Sequence, residues 1–427
     1  MNLIPVLFIS FFVTCLLGCP IAVSLGVSSL ITALLAGITP LALIQQMYSM
    51  LDSFTLLAIP LFMLVGNIME YGEITDRLVG FANVLVGHIR GGLGQVNIFA
   101  NLIMAGISGS ANADAAAIGG MLIPAMEKEG YPPEMAAAIN ASASTMGPII
   151  PPSMLMIVYG AYGGVSVAAM FMAGFIPGVL IALTMMTAVY VWSKKYPSIH
   201  LREKRATLGE IWDAFLRAIL ALLVPAIVIA GVLGGTFTAT ESGMIAAIYC
   251  FLLTAFVYRT VKLPDFLAIL RKSLVGMAHP MFCAAGAGAF SYMMTYLQIP
   301  KLVLKLAGPI AGSYYGTMFF LAILFLILGC FMDAVPAIIV FLPIIQELSR
   351  AAGLDSLHVA ILVIVTLCVG FVTPPYGLTL LLSSQIADVP STRVIKRMAL
   401  FYGVFAFVIL IIIFAPDVIL FLPHAFL

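Results

Sequence analysis

The chain has 427 residues, 63% of them apolar and only 9% charged, with a mean hydropathy of +1.17. Soluble domains run near about a quarter charged, so an ordinary soluble enzyme is excluded. A net charge of +1 says nothing about nucleic acid, and no nucleic-acid partner is expected of a chain whose bulk faces lipid. The composition is that of an all-α integral membrane protein.

Residues 3–36 open the chain with an apolar run; no basic segment precedes it, so 3–18 read as a retained helix rather than a cleaved leader. Comparable runs follow at 53–69, 156–192, 218–236, 242–258, 274–297, 316–345 and 398–414. At roughly 20 residues per span, about ten to twelve membrane segments are expected. The six cysteines lie in apolar sequence without CxxC spacing and read as buried, inert thiols. The five histidines form no ligand pattern.

Within these runs one broken-helix signature occurs twice. The first copy is Ser108-Gly-Ser-Ala-Asn-Ala-Asp114, then Pro124, then Gly147-Pro148-Ile-Ile-Pro151-Pro152-Ser153. The second is Gly329-Cys-Phe-Met-Asp333, then Pro343, then Gly370-Phe-Val-Thr373-Pro374-Pro375-Tyr376. Matching the acids, Asp114 to Asp333, gives a spacing of 219, whereas Gly147 to Gly370 and Pro151 to Pro374 give 223. On that matching the second copy carries a four-residue insertion. Paired Gly/Pro-interrupted segments in two halves of a membrane chain point to a transporter's binding site.

The repeat divides the chain into a first half, 1–192, and a second, 218–427. Between them lies a polar linker, 193–217, holding Lys194, Lys195, Arg202, Lys204, Arg205 and Arg217. So basic a stretch is expected on the cytoplasmic side. Basic loops in one half face unbasic counterparts in the other: Arg259, Lys262, Arg271 and Lys272 have none opposite them in 39–52. Such a swap is expected of an inverted repeat; Lys301 and Lys305 are exceptions to it.

Three acids stand far from other charges: Asp114, Glu241 and Asp333. An acid at bilayer depth costs at least roughly 2.5–3.5 kcal/mol and normally faces a cavity or a partner. The plainer reading is a cap on a broken helix's N-terminal amides. For Glu241, in Thr236-Phe-Thr238-Ala-Thr240-Glu241, the cap is the reading preferred. Around Asp114, the oxygens of Ser108, Ser110 and Asn112, with Thr145 and Ser153 and the carbonyls freed near Gly147 and Pro151, suit a hard monovalent cation such as sodium. The second copy keeps Gly329, Gly370 and Thr373, with Tyr376 where the first has Ser153, and would rely on main-chain carbonyls. Broken-helix N-termini also suit an anion.

The pieces Gly106–Gly119, Ser144–Ser153, Thr238–Gly243 and Gly370–Gly377 together resemble the large, DctM-type permease subunit of tripartite ATP-independent periplasmic (TRAP) transporters. The resemblance implies an inverted-repeat secondary transporter of the bacterial inner membrane. It implies an elevator mechanism with two helical hairpins and discontinuous helices, driven by a sodium gradient. It implies partners too, a small four-helix membrane subunit and a periplasmic binding protein. Substrates would be C4-dicarboxylates, sialic acid or other sugar acids. By position it puts one sodium ion on Ser108, Ser110, Asn112, Gly147, Ile150 and Ser153, and another on Gly329, Gly370, Thr373 and Tyr376. Asp114, Thr145, Asp333, Pro151 and Pro374 would shape the substrate site and hairpin tips. No enzymatic activity, no cofactor and no metal beyond sodium follow. Two rivals remain at this point: a stand-alone sodium–carboxylate symporter, and an intramembrane aspartyl protease with Asp114 and Asp333 as its dyad.

Overall fold

The computed structural model describes residues 3–72, 74–196 and 205–426, apart from the side chains of Leu263 and Pro309. The described residues form helices and no strands. Their order in the first half is α1 (Ile4–Leu16), α2 (Ile21–Leu35), α3 (Pro40–Leu51), α4 (Ala58–Tyr71), α5 (Ile74–Val86), α6 (Gly92–Ser108), α7 (Ala111–Lys128), α8 (Pro133–Ser144), α9 (Met154–Gly163) and α10 (Val167–Ser193). The second half runs α11 (Leu208–Leu233), α12 (Ala239–Leu252), α13 (Leu263–Tyr296), α14 (Ile299–Ala307), α15 (Tyr314–Gly329), α16 (Ala334–Ala351), α17 (Ser356–Gly370), α18 (Leu378–Ile386) and α19 (Ser391–Phe414). Two short turns close the chain, α20 (Pro416–Ile419) and α21 (Phe421–Phe426).

Among the described residues, seven helices are long and apolar enough to cross a membrane, and six shorter apolar helices accompany them. The chain is a multi-pass membrane protein. Glycine and proline cut the apolar runs. Residues 3–36 become α1 and α2, parted at Gly18 and Pro20, and 316–345 becomes α15 and α16, parted at 330–333. The linker also departs from a plain loop: α11 starts at Leu208, so Arg217 is helical, while Arg202 and Lys204 lie outside the described residues.

The helices gather into two groups, which meet where α13 packs on α16 and α5 on α6. In one, α13 lies against α2, α3 and α4, with α1 on α2, α12 on α4 and α11 on α5. In the other, α8 packs with α6, α7, α18 and α19, while α15 packs with α17 and α10 with α19. Each broken-helix copy has a buried half-length helix at its centre. Every residue of α8 from Met135 to Ser144 is buried, as is every residue of α17 from His358 to Gly370. In α8 the small residues of Ala136-Ala-Ala-Ile-Asn-Ala-Ser-Ala-Ser144 let neighbours approach closely, the way helices associate without a hydrophobic driving force. Asn140 ties the group together: its amide donates to the Ala115 carbonyl and to the Ser383 hydroxyl, both at 3.0 Å, and its oxygen accepts from Asn97 at 3.1 Å.

Two expectations resolve here. Glu241 is an exposed cap, not a buried acid: its carboxylate accepts the Thr238 amide at 2.8 Å, and Thr238 accepts the Glu241 amide at 3.2 Å. The four cysteines 250, 283, 330 and 368 are buried thiols, whereas Cys15 and Cys19 are only half-buried.

Candidate functional site: two hairpin tips facing one cavity

The first tip joins α6 to α7 through two residues. Gly109 makes this possible by adopting a left-handed conformation (φ 59°), and Ser110 caps the new helix by accepting the Ala113 amide. The Ser108 hydroxyl accepts the Ser110 amide at 3.2 Å. Against this tip lies the loop after α8, which holds a cis Pro151–Pro152 bond. The contact is so close that a Cβ on Gly147 would sit 2.6 Å from Asp114 Oδ2 and 2.9 Å from the Ser110 carbonyl carbon. Only glycine fits there.

Other first-copy residues divide by role. Ser153 caps α9 through the Met156 amide, and its hydroxyl donates to the Pro148 carbonyl. Thr145 donates to the Ser142 carbonyl at 2.7 Å. Ile150 packs its side chain against Gly178 of α10, leaving its main chain to serve the loop. Asn112 is exposed, one residue into α7, and looks into the cavity between the tips. Asp114, one turn inside α7, is fully buried, and neither carboxylate oxygen has a hydrogen-bond partner. Ser108 is the side chain within reach of it.

At the second tip α15 stops at Gly329 and α16 restarts at Ala334. Asp333 is the cap, its Oδ1 accepting the Ala334 amide at 2.8 Å. The facing loop holds a cis Pro374–Pro375 bond. Here backbone meets backbone, since a Cβ on Gly370 would lie 2.5 Å from Gly329 Cα. Tyr376 donates its amide to the Cys330 carbonyl at 3.1 Å, and Thr373 its hydroxyl to the Val369 carbonyl at 2.8 Å.

The helices put the two copies in one constant register. Both ends of α7 and α16, and the starts of α8 and α17, are offset by 223, the same spacing as Gly147 and Gly370. The four-residue insertion disappears. Asp333 is therefore the counterpart of Ser110, and Asp114 has its counterpart at Ala337. The acids are not equivalent, because each was matched by identity and a helix cap accepts serine or aspartate alike.

A cavity of about 220 Å³ lies between the tips. Ser110 and Asn112 line it from the first tip, Asp333 from the second, and His279 and Pro280 from α13. His279 Nε2 stands 3.9 Å from Asp333 Oδ2 and 3.8 Å from the Cys283 thiol. Asp114 is not among the lining residues. An aspartyl dyad needs its carboxyls close enough to share a proton, and here one is sealed without a partner while the other faces a histidine. That geometry gives the protease reading no support. A larger open groove of about 530 Å³, at Asp76, Arg77, Asp213 and Arg217 between α5 and α11, shares none of these residues.

His279 is the site residue that pattern reasoning missed. A lone histidine in an apolar run matches no ligand spacing. The usable signal was its place beside Pro280, a proline inside an apolar run.

A family profile for the tripartite ATP-independent periplasmic transporter, DctM component, matches residues 8–418. The chain belongs to this family. It is 34% identical to the Escherichia coli 2,3-diketo-L-gulonate TRAP transporter large permease protein YiaN, over 88% of each chain. It is 33% identical to the Vibrio cholerae sialic acid TRAP transporter large permease protein SiaM, over 90% of this chain and 89% of that one. With the Pseudomonas aeruginosa C4-dicarboxylate TRAP transporter large permease protein DctM the identity is 34%, over 94% of each. Among solved structures, the Alcanivorax borkumensis YdaH transporter shares the fold with a TM-score of 0.60, over 87% of each chain at 14% identity.

Proposed function

We propose that this DctM-family chain is the large subunit of a sodium-gradient-driven importer of an organic acid in the bacterial inner membrane. Its partners would be a small four-helix membrane subunit and a periplasmic binding protein, consistent with a component of a tripartite system. The observation that carries the reading is Asp114: a buried carboxylate with no partner, pressed against Gly147 at the tip beside the cavity. Ionising a carboxyl buried this deeply is costly, and a bound cation would offset that cost. Ser108, Ser110 and the main-chain oxygens of Gly147, Ile150 and Ser153 supply further oxygens of the hard kind sodium prefers. A second ion would rest on the carbonyls around Gly329, Gly370, Thr373 and Tyr376, with Pro151 and Pro374 holding the two loops open. Asn112, facing the cavity, belongs with the acid rather than the ion.

The two packed groups support an elevator: α6–α10 with α15–α19 would carry the cavity past a frame made from α1–α5 and α11–α13. This division cuts across the inverted halves 1–192 and 218–427, with the linker 193–217 in the cytoplasm. The test is uptake of labelled acids into proteoliposomes holding the chain and its small subunit under an inward sodium gradient. Uptake that needs both sodium and the binding protein is the expected result. Sodium-driven uptake without the binding protein would transfer the chain to the stand-alone symporters. No uptake of any acid would end the reading.

A further inference from the structure

The inter-tip cavity has just two ionisable side chains among its described lining residues, His279 and Asp333, and neither lysine nor arginine. Its charges are arranged to one side. Asp333 spends Oδ1 on capping α16 and turns Oδ2 toward His279. The 3.9 Å between Oδ2 and Nε2 is too long for a hydrogen bond but fits two partners of one hydroxyl, each about 2.8 Å away. Such a hydroxyl donates its single proton to the carboxylate and accepts from the Nε2–H of the imidazole. Opposite lie the Ser110 and Asn112 side chains at the start of α7, which offer neutral donors and a favourable dipole to an anion. At about 220 Å³ the space is below the roughly 300–1,000 Å³ usual for drug-sized ligands, so the occupant is small.

Resting on the proposed function, we propose that this cavity selects small polyhydroxylated monocarboxylates, sugar acids, over dicarboxylates. The carboxylate lies at Ser110 and Asn112, and a hydroxyl bridges Asp333 and His279. A dicarboxylate of the same length brings its second carboxylate against Asp333, where like charges repel in a space with neither lysine nor arginine to neutralise them. Asp333 is thus the specificity-determining residue, and His279 the one that shares its hydroxyl.

The experiment measures thermal stabilisation of the full chain, purified in detergent with sodium present, by D-gluconate and by succinate. Wild type should bind gluconate at least about tenfold more tightly than succinate. Asp333→Asn retains the helix cap, since asparagine caps as well as aspartate, and should shrink that ratio several-fold by admitting succinate. His279→Ala should weaken gluconate and leave succinate where it was. Succinate binding as tightly as gluconate to wild type, or a ratio unmoved in Asp333→Asn, overturns the selectivity while leaving sodium-driven import intact. Absence of stabilisation by either acid in wild type and in both variants removes the cavity as an acid site altogether. Should Asp333→Asn fold poorly, the gluconate-specific loss in His279→Ala decides alone.

Discussion

At the first tip a serine caps the re-entering helix and the acid lies one turn deeper, sealed and unpartnered; at the second the acid is itself the cap and looks into the cavity. Both tips share their scaffold: a hairpin turn pressed on a loop that carries a cis Pro–Pro pair and a glycine no larger residue could replace. The difference teaches that one frame holds two acids in unlike surroundings. A buried carboxyl at the first tip is costly to ionise, which the proposed sodium would offset. A half-exposed carboxylate, already satisfied on one oxygen by an amide, can discriminate between ligands with the other.

The largest effects should come from the shared frame. Gly370→Ala puts a methyl group 2.5 Å from Gly329 Cα, where backbone on both sides has no rotamer to yield. Gly147→Ala meets a side-chain oxygen at 2.6 Å and backbone at 2.9 Å. Overpacking of this kind costs about 1–3 kcal/mol, and both variants should lose accumulation of acid in proteoliposomes, with the thermal midpoint falling further for Gly370→Ala. Wild-type uptake in either one would mean that the tip and its loop do not move as a unit.

The next prediction separates the acids. Asp114→Asn should raise the sodium concentration for half-maximal uptake by about tenfold, since hydrogen bonds and contacts to a charged group are worth about 1.5–3 kcal/mol. Asp333→Asn should leave that concentration within about twofold and change which acids compete. A sodium titration of both variants decides the matter. If the two curves shift together, the acids do share one role and the offset of 219 was the meaningful one.

That offset shows what was and was not legible in the chain. The membrane class, the two broken copies and their loops follow from glycine and proline, because these residues act on the backbone wherever they occur. The constant register was equally available in Gly147, Gly370 and the paired prolines. Matching aspartate to aspartate hid it, because a side chain's identity says nothing about which turn of the helix it occupies. His279 was hidden for another reason: it acquires meaning only when α13 passes the second tip, a contact that joins residues far apart in sequence. Asn112 illustrates the limit of composition, since it sits among the hydroxyls of the first tip yet projects into the cavity rather than toward Asp114.

The smallest effect on stability, and the sharpest test of equivalence, is an exchange of the caps. Serine and aspartate rank together as N-caps, so Ser110→Asp and Asp333→Ser should each change the unfolding free energy by no more than about 0.5 kcal/mol, provided 110 and 333 are counterparts. Function should respond while stability does not. Ser110→Asp brings a second negative oxygen near Asp114 and should tighten sodium while weakening every acid, whose carboxylate lies at position 110; Asp333→Ser removes the cavity's acid and should let dicarboxylates compete with sugar acids. The double variant moves the charge from one tip to the other with the caps preserved, so its changes should be the sum of the two singles. A loss of several kcal/mol in either single variant would show that the cap positions are built differently and that only the loops, not the hairpins, repeat.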